Sequence, residues 1–188
     1  MKPLTAPTPA TTLTDAPSLR IDVAQATGSG PTTLAAFDVA LRAAGVANFN
    51  LLLLSSIAPP ASRINVTAQA RPTGGWGDRL YVVLAEERVQ THNEEAWAGI
   101  GWVQEREQGR GLFVEHHGHS QHQVEADISA TLENLMQGRP QYEWGQPGQS
   151  VVGVTCIDEP VCALVVAVFE SAPWEYSEGT TDDIIDLT

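Results

Sequence analysis

Four leucines, Leu51 to Leu54, run into the pair Ser55-Ser56, and Pro59-Pro60 closes the stretch. An apolar run this short predicts a strand buried on both faces and ended by a turn. Such a strand needs the rest of the chain packed around it, so the chain is organised about this stretch. The serine pair at its end admits two readings. Two hydroxyls can simply cap the strand where it leaves the sheet. Alternatively, the peptide bond between them, held in a protected place with a stiff proline exit, is itself reactive.

With 188 residues and 43% apolar side chains, a single domain with a sizeable core is expected. The formal charge of −13 weighs against nucleic acid or an anionic membrane as partner and tolerates a cationic small molecule. Glu175, Glu178, Asp182, Asp183 and Asp186 crowd the C-terminal end with no base among them. Cys156 and Cys162 have the spacing of neither a zinc knuckle nor a redox pair, and are read as reduced thiols on neighbouring strands. No signal-peptide pattern opens the sequence, and no segment approaches the roughly 20 apolar residues of a membrane helix. A soluble, cytoplasmic protein is therefore expected. Lys2 is the only lysine. Pyridoxal phosphate needs a lysine to hold it, so amine chemistry in this chain calls for another electron sink.

Residues 1–17 are rich in proline and threonine and read as a disordered leader. Leu19, Ile21 and Val23 alternate with polar residues as in a first strand. Thr27-Gly28-Ser29-Gly30-Pro31 is a turn into a helix capped by Thr32 or Thr33; neither a Walker lysine nor G-x-G-x-x-G accompanies it as a phosphate loop would require. The helix spans about Thr33 to Ala44, ends at Gly45 and carries Leu34, Phe37 and Leu41 as its apolar face. Asp38 falls within that face, either at its edge or as a buried acid facing a cationic ligand. A loop of about twenty residues follows the leucine strand. Strands are then expected over Tyr81 to Val89, Ala96 to Val103 and Gly111 to His116, a helix over Ser120 to Met136, and a closing hairpin of Val151 to Ile157 with Val161 to Phe169. This order indicates an α+β fold, a layered sandwich of the αββα type in one domain spanning 18–170, rather than a doubly wound sheet. His116, His117, His119 and His122 lack the H-x-x-x-H geometry of a helical metal site and read as a solvated cluster, so no metal is expected. The tail 171–188 reads as a flexible acidic extension or a strap docking through Trp174 and Ile184-Ile185.

Three stretches together resemble the pyruvoyl-dependent arginine decarboxylases: Gly30-Pro31-Thr32-Thr33-Leu34-Ala35-Ala36-Phe37-Asp38, Ala43 to Asn50, and Ser55-Ser56-Ile57-Ala58-Pro59-Pro60. A shorter one is Gly111-Leu112-Phe113-Val114-Glu115 before a helix and two final strands. The resemblance covers about residues 18 to 170.

The resemblance implies that the chain cleaves itself between Ser55 and Ser56 into segments 1–55 and 56–188. Ser56 then becomes a covalently bound pyruvoyl group, which needs no lysine. It implies that this carbonyl condenses with a substrate amine and takes up the electrons released with carbon dioxide, turning L-arginine into agmatine. Asn50 is implied as an oxyanion donor in cleavage or as a group orienting the substrate, although a plain turn residue would also fit there. Glu115 is implied as the proton donor, a role that burial at a strand end would favour. Asp38 is implied to face the substrate guanidinium and Leu34 to line the same pocket. The family also implies a homotrimer, or a hexamer of self-cleaved protomers, with pockets at subunit interfaces. Glu115 is followed by histidines where a tyrosine and another acid are expected. Ornithine, lysine or another cationic amino acid therefore stays open as substrate, and an unprocessed, ligand-binding or structural oligomer stays open as a different class of function.

Overall fold

The computed structural model describes residues 18–175. The leader expected over 1–17, and Ile184-Ile185 in the tail, lie outside the described residues. Within them the chain forms β1 (Arg20–Ser29), α1 (Thr33–Ala44), β2 (Asn50–Leu53), β3 (Ile57–Ala58), β4 (Arg63–Thr67), β5 (Arg79–Val89), β6 (Glu95–Gln104), β7 (Gly111–Gly118), α2 (Gln121–Gln137), β8 (Gly148–Thr155) and β9 (Val161–Ala172). Five strands make a mixed sheet in the order β2-β5-β9-β1-β4, and four make an antiparallel sheet in the order β3-β7-β6-β8.

β9 shows why the two sheets stack. Val161 to Phe169 is buried throughout, with successive side chains sent to opposite faces. Val161, Ala163, Val165, Ala167 and Phe169 meet Ala96, Ala98, Ile100 and Phe113 of the second sheet. Cys162, Leu164, Val166 and Val168 lie under α1. On the far side, Val124, Ile128 and Leu132 of α2 cover Val103, Leu112 and Val114. The layers thus run helix, sheet, sheet, helix: the α+β sandwich of αββα type forms as expected.

The strand buried on both faces is β9 and not the leucine run. β2 is an edge strand paired only with β5. α1 packs over β1 and β9; Leu51 of β2 reaches the cluster beneath it, but Leu53 is 70% exposed.

α1 differs from expectation in rotation rather than position. Thr32 caps it by accepting from Ala35 N–H at 3.1 Å, and Gly45 ends it in the left-handed region at φ 86°. Its seam against the sheet is Ala36, Ala40 and Ala44, all fully buried, with Phe37 and Leu41 half-buried beside them. A Cβ on Gly28 would lie 2.2 Å from the Ala36 carbonyl oxygen. Only small side chains fit so close an approach, and the larger ones are turned outward. Leu34 is consequently 66% exposed. Asp38, 57% exposed, pairs with Arg42 Nε at 3.0 Å one turn on instead of facing the core.

Two expectations about connectivity need correction. β8 and β9 form no hairpin, because they lie in different sheets, as do β5 and β6. The polar connections are crossings between the layers. Cys156 and Cys162 are therefore not on paired strands, although both are free and buried. Burial, reinforced by the charge of Glu86, pushes the Cys162 thiol up to about 12, which keeps it protonated. The long loop after the leucines holds two short strands, β3 and β4; β4 pairs parallel with β1. Among the described residues no helix is long and apolar enough to cross a membrane.

Candidate active site

The serine pair sits where the chain passes from one sheet to the other. Leu54 N–H still donates to Val82 C=O of β5 at 2.9 Å, while Ser56 C=O accepts from Phe113 N–H of β7 at 2.8 Å. β3 then pairs antiparallel with β7, placing Ile57 opposite Leu112 and Ala58 opposite Gly111. The Ser55–Ser56 peptide bond is thus anchored on its two sides by different sheets. Ser56 makes the crossing at φ 65°, a left-handed conformation that costs a residue with a side chain about 1 kcal/mol or more.

The turn brings Ser56 Oγ to Glu115, where it donates to Oε2 at 2.8 Å. Antiparallel pairing explains this meeting of residues far apart in sequence: with Ser56 opposite Phe113, the next side chain on the same face of β7 is Glu115. Glu115 is exposed in the single chain rather than buried at a strand end. Beyond Phe113 the outer edge of β7 has no strand partner among the described residues, and a cavity of about 330 Å³ opens there. Ser55 and Ser56 bound it on one side, Glu115 and His116 on another, and Thr131, Leu135 and Arg139 of α2 and its exit on the third.

His116 lines this cavity and exchanges a hydrogen bond with Thr131 Oγ1 at 2.9 Å, tying β7 to α2. His117 Nδ1 meets Glu87 Oε2 at 2.6 Å, and His119 Nδ1 meets the Glu95 carbonyl at 3.0 Å. Alternation along β7 sends His116 and His117 to opposite faces and to different partners, while His117, His119 and His122 are exposed to solvent. Among the described residues no three metal-ligating side chains converge.

The single chain brings together Ser55, Ser56 and Glu115 but not the other candidates. Leu34, Asp38 and Asn50 do not line the Ser56 cavity. Asn50 begins β2, and the four residues to Leu54 alone span about 13 Å at the rise of a strand. Its Nδ2 donates to Gly77 C=O at 2.5 Å and its N–H to Asp78 C=O at 2.8 Å. Sequence reasoning did not single out Thr131 or Arg139. With Leu135 they share an i, i+4, i+8 spacing that marks one helix face.

The chain is similar to several curated proteins. A "Pyruvoyl-dependent arginine decarboxylase" of Halobacterium salinarum is 39% identical over 97 residues, 51% of this chain and 59% of that protein. Proteins of that name from Thermoplasma volcanium and Picrophilus torridus are 36% identical over 91 residues and 33% identical over 104. These stretches cover 48% and 55% of this chain, and 50% and 57% of the relatives. The chain thus spans between half and two thirds of the length of the relatives it matches. A family model described as pyruvoyl-dependent arginine decarboxylase matches residues 20–172, from the first residue of β1 to the last of β9. On that match, the chain belongs to the pyruvoyl-dependent arginine decarboxylase family.

Proposed function

We propose that this chain is a self-processing carboxy-lyase that converts L-arginine to agmatine and carbon dioxide. The observation that carries the reading is the 2.8 Å contact between Ser56 Oγ and Glu115 Oε2 at a left-handed turn with its flanks held in two sheets. Family membership and the names of the relatives support the choice of substrate.

The residues suit cleavage in cis. Glu115 accepts the Ser56 hydroxyl proton as Oγ attacks the Ser55 carbonyl carbon; an ester C–O bond forms, the peptide C–N bond breaks, and the freed nitrogen takes a proton. Loss of the Ser56 Cα proton then expels the Ser55 carboxylate, ending the segment 1–55. Water replaces the nitrogen at position 56 as ammonia and leaves a ketone. The residues fit the resulting group: its trigonal carbon keeps the methyl but has lost the nitrogen about which φ 65° was strained, and Phe113 N–H remains on the adjacent carbonyl.

The pyruvoyl group at position 56 supplies a ketone that condenses with the substrate amine and draws off the electrons left when carbon dioxide departs. Glu115 holds the proton for the substrate carbon. Leu34, Asp38 and Asn50 complete the pocket from a neighbouring copy in a trimer or hexamer, with Asp38 exchanging its exposed Arg42 partner for the substrate guanidinium. Leu53 and Ile57, exposed on either side of the serines, are the apolar surface such a neighbour would cover.

An intact mass spectrum tests the reading. Two chains, 1–55 and 56–188 with a pyruvoyl end, are expected, and Ser56→Ala should leave one 20.1 kDa chain that releases no carbon dioxide from arginine. A cleaved, active Ser56→Ala protein would refute the assignment. Release from ornithine or lysine but not arginine would move the substrate within the same chemistry, and a wild-type chain that binds arginine yet stays intact would make this a binding oligomer.

A further inference from the structure

We propose that Trp174, two residues beyond β9, is a positioning residue for Asn50; the inference rests on the reading of Asn50 as a site residue. Asn50 is held by the turn that leads into β5. Its backbone N–H donates to Asp78 C=O at 2.8 Å and its Nδ2 to Gly77 C=O at 2.5 Å, while Gly77 N–H returns to Asn48 C=O at 2.8 Å. With one amide hydrogen spent on Gly77, the second and Oδ1 stay available to a ligand. Their direction is only as fixed as the Gly77 carbonyl. That carbonyl accepts a second hydrogen bond, from the indole Nε1–H of Trp174 at 2.9 Å.

The indole is itself fixed from the same turn. The Arg79 guanidinium lies 4.9 Å from the centroid of the Trp174 ring, and Arg79 Nη2 donates to Pro173 C=O at 2.6 Å. Ser171 Oγ donates to Thr73 C=O at the other end of the turn. Residues 171 to 174 therefore run along the turn and clamp it at Thr73, Gly77 and Arg79. Trp174 is 47% exposed, so little core depends on it, and it lies past Ala172, where the family match stops. Ser171 of the clamp lies within the matched residues and Trp174 beyond them. The clamp reaches Asn50 through one shared carbonyl, which is how a residue that touches no substrate can set the aim of one that does.

The test compares Trp174→Phe, which keeps a ring over Arg79 and loses the N–H, with Trp174→Ala, Asn50→Ala and the double variant Asn50→Ala/Trp174→Phe, all in the full chain. Two quantities are read for each: the rate of self-cleavage by mass in freshly made protein, and kcat and KM for arginine per mole of cleaved chain. Whichever of cleavage rate and kcat falls in Asn50→Ala should also fall in both Trp174 variants, by about tenfold for a misaimed group. KM and melting temperature should hold in Trp174→Phe, and the double variant should be no worse than Asn50→Ala. Asn50→Ala impaired with Trp174→Phe and Trp174→Ala at wild-type rates overturns this inference and spares the reading of Asn50. Losses that add in the double variant also overturn it, since they place Trp174 on a separate route. Wild-type behaviour of Asn50→Ala overturns both.

Discussion

In the proposed function Glu115 faces two proton transfers that occur at different times. In the intact chain its Oε2 accepts from Ser56 Oγ at 2.8 Å; after the proposed cleavage consumes that hydroxyl, the same oxygen would look onto the position where the substrate carbon must be protonated. Glu115→Gln preserves size and one acceptor but abolishes the proton exchange. Turnover per mole of cleaved chain is expected to fall by roughly 10²- to 10⁴-fold, with slower cleavage by mass as a second readout. Unchanged turnover would remove Glu115 from its role. At this scale Ser56 and Glu115 were legible because short motifs carry them. Thr131 and Arg139 were not, because a polar residue on a helix looks the same whether it meets solvent or the mouth of a cavity. The partner of Asn50 was hidden for another reason: Gly77 lies 27 residues away, and its contribution is a backbone carbonyl that no side-chain pattern encodes.

Local chemistry decided where α1 begins and ends: the N-cap could be narrowed to Thr32 or Thr33 and the C-cap read as Gly45. Its rotation could not, because the decisive group is a missing side chain on β1. In sequence, Leu34, Phe37 and Leu41 define the expected buried face; against Gly28, the alanines win. Gly28→Ala should therefore cost about 1–3 kcal/mol by overpacking, read as a melting temperature lower by several degrees with secondary structure retained. A Gly28→Ala protein as stable as wild type would mean the helix is not held so close. The leucine run misled in the same way. Four apolar residues in a row satisfy the pattern of a doubly buried strand, but only neighbours supply burial, and β2 has one on a single side. β9 carries the same signal and has strands on both flanks and layers on both faces.

For the molecule as a whole, layering was legible from the order of elements, while sheet membership was not. A short polar link between two strands reads as a hairpin whether it closes one or crosses from sheet to sheet, as after β5 and β8. The exposed apolar rim of Leu34, Leu53 and Ile57 bears on the proposed assembly. Leu53→Glu is expected to shift the particle to a smaller mass by light scattering and to lower turnover with it, because Asp38 and Asn50 would no longer be delivered by a neighbour; an unchanged mass would take Leu53 out of the contact. The order β2-β5-β9-β1-β4 carries a further consequence. β1 and β2 precede Ser56, and β4, β5 and β9 follow it, so β1 lies between two strands of the other segment. The proposed cleavage, by opening one bond, would make two molecules whose strands are interleaved within a single sheet. Refolding of the uncleaved chain from denaturant would then be first-order, whereas the cleaved pieces are expected to need a bimolecular encounter, slower on dilution and dependent on the concentration of both.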